Sequence, residues 1–143
     1  MLIETRVKII KEVDGKIRKH TTTFLSDNEN LVDALATVII HITELEESGE
    51  ISDADILSCK QSAIREVATQ FDGDKAYIAT LKDIWIDEVG DEKTLRYKVM
   101  LRAADLTECN NRVQQFSREG YDMQIESLTE MDIQYIQTNS EQQ

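Results

Sequence analysis

The residues best placed to do chemistry in this sequence are basic side chains that recur at alternate positions in strand-like segments. Strand alternation is expected to place them on the solvent faces of two hairpins: Arg6, Lys8, Arg18 and His20, then Lys82, Arg96, Lys98 and Arg102. Tyr77, Trp85 and Tyr97 lie nearby in the second hairpin. Cations that follow phosphates beside rings that stack on bases are typical of single-stranded nucleic-acid binding.

The first hypothesis is therefore a non-catalytic protein that binds single-stranded DNA or assists replication. Its phosphate contacts would come from seven side chains: Arg6, Lys8, Arg18, Lys82, Arg96, Lys98 and Arg102. Trp85 or Tyr97 would stack on bases. The alternative reading is structural, because exposed strands carry Lys for solubility and the three aromatic residues fall at core-facing positions.

Charge is sorted unevenly along the chain. The protein has 28 acidic and 16 basic residues, a net charge of −12. The first twenty residues run against this balance, with six basic side chains against three acidic ones. An acidic chain does not adhere by default to duplex DNA or to an anionic membrane, so any nucleic acid would be confined to the basic hairpins.

Catalytic and metal-binding patterns are missing from the sequence. His20 and His41 have no Cys or His at ligand spacing, and no phosphate-binding Gly loop is present. The acidic turn at Asp87-Glu88 and Asp91-Glu92 lacks the order of a calcium loop and is interpreted as solvated. Cys59 and Cys109 are expected to be reduced thiols. We therefore expect no enzyme, no metal and no cofactor.

The elements that position these residues repeat along the chain. Each half is predicted to run strand, strand, helix, strand, with Asp14-Gly15 as the first hairpin turn. The first helix is expected from a cap at Ser26, Asp27 or Asn28 to about Glu47, and the second over about 105–118. Residues 55–67 and 121–136 are predicted closing strands, although a helix over 55–67 stays open.

The two closing segments also match each other in sequence. Placing Ile56 on Ile125 registers them without a gap, so that Ser58 meets Ser127 and Ile64 meets Ile133. The predicted fold is α+β: a duplicated ββαβ unit, mainly antiparallel, with one helix per repeat packed on the sheet. We expect a single pseudo-symmetric domain with repeats at about 1–70 and 74–137 and a loose tail at 138–143.

The predicted first helix has a wider apolar stripe than one sheet face needs. Val32, Ala36, Ile39 and Ile40 widen it, and they are candidates for an interface with a second copy or another protein. The second hypothesis is therefore an acidic protein-interaction module. No apolar run approaches the roughly 20 residues that span a bilayer, and the charged N-terminal stretch is unlike a signal peptide. We expect a cytoplasmic protein without membrane contact.

The second half resembles a known family. Three blocks carry the resemblance: "DKAYIATLKDIWIDEVGDEKT", "MLRAADL" and "YDMQIESLTEMDIQYI". In order and spacing they are similar to domain of unknown function 4494, over roughly 74–136, with a fainter likeness in the first half. The resemblance implies a small Bacteroidetes or crAss-like phage protein associated with phage replication modules, which would act in the host cytoplasm if it is phage-encoded. On the second hypothesis, the protein would be a phage factor that binds and diverts a host protein. It carries no catalytic residues.

Overall fold

The computed structural model describes residues 1–137, so the predicted tail at 138–143 lies outside the described residues. The described chain is α+β, as predicted. Its elements are β1 (Leu2–Val13), β2 (Lys16–Asp27), α1 (Leu31–Glu47), β3 (Asp53–Gln61), β4 (Ile64–Val67), β5 (Lys75–Ile86), β6 (Glu92–Ala103), α2 (Leu106–Val113), a 3-10 turn (Gln114–Phe116), β7 (Asp122–Glu130) and β8 (Ile133–Ile136).

The strands form two four-stranded sheets, and the chain divides into two compact units around them. The first unit is Met1–Ser62 with the segment from Asp132 on, and the second is Ala63–Met131. Their strand orders are β3-β1-β2-β8 and β4-β6-β5-β7. The long strands pair antiparallel, whereas β8 and β4 are added parallel to β2 and β6. The predicted ββαβ order is therefore present in both halves.

The closing segments correct one prediction. Each was expected to be one strand, but each is two, with a break at Ser62-Ala63 and at Met131-Asp132. The second piece leaves its own repeat: β4 pairs with β6 of the second unit, and β8 pairs with β2 of the first. The helix considered for 55–67 is not formed. Each repeat thus supplies one of the two edge strands of the other unit.

The first unit is held by one face of the β1–β2 hairpin against α1. Val7, Ile9 and Phe24 form its cluster together with Val38 and Ile42 from the helix. The helix begins after Asn30, whose side chain accepts a hydrogen bond from the Asp33 amide at 2.8 Å. The caps predicted at Ser26, Asp27 or Asn28 were wrong, since β2 continues to Asp27.

The second unit repeats this arrangement with a shorter helix. Asp105 caps α2 by accepting from the Glu108 amide at 2.8 Å, and the helix places Cys109 and Val113 against the sheet. Both units carry the same irregularity: the register shifts between Arg6 and Val7 in one pair and between Thr80 and Leu81 in the other. That the two units form one pseudo-symmetric domain stays a prediction.

Candidate functional site

Helix α1 presents an apolar face that its own unit does not cover. Its core side is Ala34, Val38 and Ile42, at the four-residue spacing that keeps side chains on one side of a helix. Five further apolar side chains are exposed, and they form what we call the apolar face of α1: Leu31, Val32, Ala36, Ile39 and Ile40. Four of their exposed fractions are 44% (Leu31), 75% (Val32), 51% (Ile39) and 61% (Ile40), and Ala36 is also exposed.

A cleft of about 410 Å³ adjoins this face within the first unit. One wall comes from α1, including Ile40 and His41, and the other from residues 134–137 at and beyond β8. The Nε2 atom of His41 is buried and has no hydrogen-bond partner among residues 1–137. Unpaired buried polar atoms are rare in protein interiors. The apolar face therefore continues through Ile40 into a partly polar recess.

The charges around the apolar face have one sign. Between Leu31 and Glu47 the helix contains Asp33, Glu44, Glu46 and Glu47, and it contains no Lys or Arg. The three glutamates lie in the last turns, where the negative end of the helix dipole does not stabilise them. The electrostatic field at this end of the apolar face therefore favours a partner with basic side chains.

The four predicted cations of the second hairpin share one face of the second sheet. Lys82 lies directly opposite Arg96 on the neighbouring strand, and Lys98 and Arg102 follow Arg96 at alternate positions. We call these four residues the cationic face. Arg96 bonds Glu126 at 2.7 Å, and Arg102 donates to the carbonyls of Gly73 and Asp74. Neither Lys82 nor Lys98 forms an ion pair within residues 1–137.

The aromatic residues lie on the other face of the same sheet. Tyr97 pairs with Leu81 and packs against the core beneath α2, and Tyr77 is buried there. The Tyr97 hydroxyl donates to Asp83, and the Arg65 guanidinium lies 5.0 Å from its ring centroid. Trp85 packs against Tyr121, with ring centroids 5.4 Å apart. The rings therefore do not stand beside the cationic face.

The first hairpin also separates residues that were expected together. Arg6 and Lys8 pair with Thr23 and Thr21, whereas Arg18 and His20 pair with Lys11 and Ile9. Side chains of paired residues share a face, and Ile9 faces α1. The expectation that Arg6, Lys8, Arg18 and His20 share one solvent face was wrong: Arg18 and His20 lie on the opposite face from the other two.

The other reactive groups make few contacts with one another. Both cysteines are free thiols, Cys109 buried and Cys59 half-buried. Burial raises the pKa of the Cys109 thiol, and nearby Arg112 opposes that shift. Across residues 1–137, no three His, Cys, Asp or Glu side chains come together as a metal site, and no helix is long and apolar enough to cross a membrane.

The fold is that of an α+β protein with two ββαβ repeats, in which each unit is completed by a short strand from the other repeat. Within this class the chain belongs to the family described as domain of unknown function 4494, whose model matches residues 1–138. The family match therefore covers both halves, beyond the 74–136 stretch of the resemblance. No curated protein and no solved structure matches the chain significantly.

Two parts of the apolar surface were not among the predicted interface residues. In the sequence pattern, Leu31 falls at a core position of the helical stripe. In the structure it lies in the first helical turn and is exposed. The cleft beside His41 depends on β8, whose pairing with β2 joins distant parts of the sequence. The match of Ile64 with Ile133 makes β8 the equivalent of β4, but it does not mark either as a separate strand.

Proposed function

We propose that this protein is a non-catalytic binding protein that captures another protein on the apolar face of α1. The observation that carries the proposal is the exposure of a contiguous apolar stripe on a helix that is already packed on its other side. Large exposed apolar patches on folded proteins typically mark interaction sites. In the phage setting that the family resemblance implies, the partner is a host or phage protein.

The chemistry of the surface narrows the partner. Apolar anchors spaced along a helix are a common way to bind an amphipathic segment. The acidic residues around the face favour basic side chains flanking those anchors, and the same charges disfavour a second copy of α1, which would bring only acidic side chains. The occupant is therefore an apolar segment with basic flanks, and the homodimer through α1 becomes an outcome of the test.

The experiment compares capture by matched variants. Immobilised wild-type protein, Val32→Ser/Ile40→Ser, and the control Leu57→Ser/Leu106→Ser are incubated with a bacterial host lysate. The control removes two other exposed apolar side chains, Leu57 at 50% and Leu106 at 54% exposure. The proposal expects a protein that is captured by wild type and control and is lost from the α1 variant. Equal capture by all three proteins would contradict the proposal. If the wild-type protein instead forms a salt-resistant dimer that the α1 variant does not form, the apolar face serves self-association.

A second candidate function, single-stranded nucleic-acid binding, keeps one supporting observation. Lys82, Arg96, Lys98 and Arg102 share one sheet face, and within residues 1–137 only Arg96 among them forms an ion pair. The position of Trp85 and Tyr97 on the opposite face favours contacts with phosphates alone over the stacking that was expected. Such binding would be salt-dependent and indifferent to base sequence.

Fluorescence anisotropy separates this candidate from the first. A labelled single strand and a duplex of the same sequence are titrated with wild-type protein and with Lys82→Gln/Lys98→Gln across a salt series. Nucleic-acid binding predicts that the variant binds more weakly and shows a shallower salt slope. Equal affinity of both proteins, or preference for the duplex, would contradict the assignment.

A further inference from the structure

The two hairpins of the protein end in exposed tips of opposite charge. The first, here called the basic tip, is residues 11–20, and the second, the acidic tip, is residues 86–95. All residues of the basic tip are exposed, and only Asp87 is half-buried in the acidic tip. The tips occupy equivalent places in the two repeats, because β1–β2 and β5–β6 are the corresponding hairpins.

The charges of the tips are complementary. The basic tip has four basic side chains against two acidic ones: Lys11, Lys16, Arg18 and Lys19 against Glu12 and Asp14. The acidic tip has four acidic side chains against one basic: Asp87, Glu88, Asp91 and Glu92 against Lys93. None of the four basic side chains of the first tip forms an ion pair within residues 1–137. In an otherwise acidic protein, this basic charge is left without a partner.

Both tips also leave strand edges and apolar side chains uncovered. In the first unit, β3 pairs with β1 only to Ile10 and β8 pairs with β2 only from Thr23. In the second unit, β7 reaches Ile84 and β4 begins opposite Lys98. Ile17 is 65% exposed in one tip and Val89 is 81% exposed in the other. Unpaired edges are templates for another strand.

We infer that the basic tip of one copy of this protein binds the acidic tip of a second copy. The contact joins two different surfaces, so a bound pair of copies retains one free basic tip and one free acidic tip, and the association is head to tail. Attraction between the opposite charges aligns the two tips. The exposed aliphatic side chains and the unpaired strand edges of the tips then come into contact. This contact is independent of the apolar face of α1 and of the function proposed for it.

Charge-reversal variants test the inference without removing buried groups. Lys16→Glu/Lys19→Glu makes both tips acidic, and Glu88→Lys/Glu92→Lys makes both tips basic. Weight-average mass is measured by sedimentation over a range of concentrations at about 0.1 M and about 1 M salt, where the Debye length is about 10 Å and 3 Å. Circular dichroism confirms that each variant keeps its fold.

We expect the weight-average mass of the wild-type protein to rise with protein concentration at about 0.1 M salt and to fall towards the monomer mass at about 1 M salt. Each variant alone should associate at least about tenfold more weakly than the wild-type protein. The equimolar mixture of both variants should recover the wild-type association. The controls Lys60→Glu/Lys75→Glu and Glu50→Lys/Glu119→Lys change the net charge equally and should behave as wild type. The variant with two basic tips is informative because its lower net charge alone would increase association.

Four results would overturn the inference. The first is a wild-type protein whose mass does not depend on concentration. The second is a pair of variants that associate as wild type does, and the third is a mixture that stays unassociated. A salt-resistant dimer abolished by Val32→Ser/Ile40→Ser would also overturn it, because self-association would then run through α1.

Discussion

Ile64 and Ile133 occupy equivalent positions in the two repeats, and each pairs with a strand of the other repeat: Ile64 opposite Lys98 on β6, and Ile133 opposite Thr23 on β2. Both side chains are buried, at 8% and 3% exposure. The exchange is reciprocal, so neither unit has its full sheet without a strand that follows the helix of the other repeat.

Replacement of Ile133 should therefore weaken the first unit, although the residue follows the second repeat in sequence. Ile133→Ala is expected to lower the free energy of unfolding by about 2–5 kcal/mol, because it removes a buried side chain. Hydrogen exchange should accelerate in β2 around Thr23, whereas Ile64→Ala should accelerate it in β6 around Lys98. The control Ile17→Ala changes an exposed side chain and should shift stability by less than about 0.5 kcal/mol. Faster exchange confined to β7 in Ile133→Ala would contradict the exchange of strands.

The cap of α1 gives a second prediction. Asn30→Ala removes the acceptor for the Asp33 amide and should lower the free energy of unfolding by about 0.5–2 kcal/mol. Asn30→Asp keeps an acceptor and should retain most of the stability. Glu29→Ala, one residue earlier and exposed, serves as the control in urea unfolding. A loss at Glu29 equal to that at Asn30 would place the cap elsewhere.

The two cysteines should differ in reactivity. Cys109 is buried and its raised pKa keeps the thiol protonated, whereas Cys59 is half-buried. Only a thiolate attacks a disulfide reagent, so the native protein should show one fast-reacting thiol near neutral pH. Cys59→Ser should abolish that fast phase, and Cys109 should react only on unfolding. Two fast thiols in the native protein, or a fast phase that survives in Cys59→Ser, would contradict this assignment.

Tyr97 should make stability fall at high pH. Burial first, and then the Asp83 carboxylate, raise the pKa of Tyr97 above its ordinary value of 10.0. A group whose pKa is higher in the folded than in the unfolded protein contributes its full stabilisation of the folded state at pH values below the unfolded pKa. That contribution is lost as the pH rises through the folded pKa. Tyr97→Phe leaves buried Asp83 without that hydrogen bond and should lower stability by about 1–3 kcal/mol near neutral pH.

Urea unfolding of wild type and Tyr97→Phe across pH provides the measurement. The difference between the two proteins should be constant up to about pH 10 and should shrink above it, because wild type alone loses the Tyr97 contribution. Tyr121→Phe, at another half-buried tyrosine, is the matched control. A difference in stability that grows with pH would contradict the predicted effect of Tyr97 ionisation.

The sequence predicted the elements more accurately than it predicted the faces of the hairpins. Arg18 was misplaced because the first hairpin has a two-residue loop, Asp14-Gly15, so even positions of β1 pair with odd positions of β2. Both loop residues have positive φ, as a two-residue turn of this type requires. The second hairpin closes with a longer loop between Ile86 and Glu92, and even positions then pair with even positions. Loop length decides which side chains share a face.

The gapless match of the closing segments predicted their equivalence but not their division. No Gly or Pro marks the breaks at Ser62-Ala63 and Met131-Asp132, and apolar residues continue on both sides. The division arises from pairing with β6 and β2, which local patterns do not encode. The apolar face of α1 was anticipated because the stripe is too wide for one contact, whereas its cleft depends on β8.

The most direct test of the proposed function is photo-cross-linking from the apolar face of α1. A photoreactive phenylalanine derivative replaces Ile40 in one protein and Leu106, which is similarly exposed on α2, in the control. After irradiation in a bacterial host lysate, the account predicts a discrete adduct from position 40 that is missing from position 106 and is lost when Val32→Ser is added. No adduct from position 40, or the same adduct from both positions, would contradict a docking surface on α1.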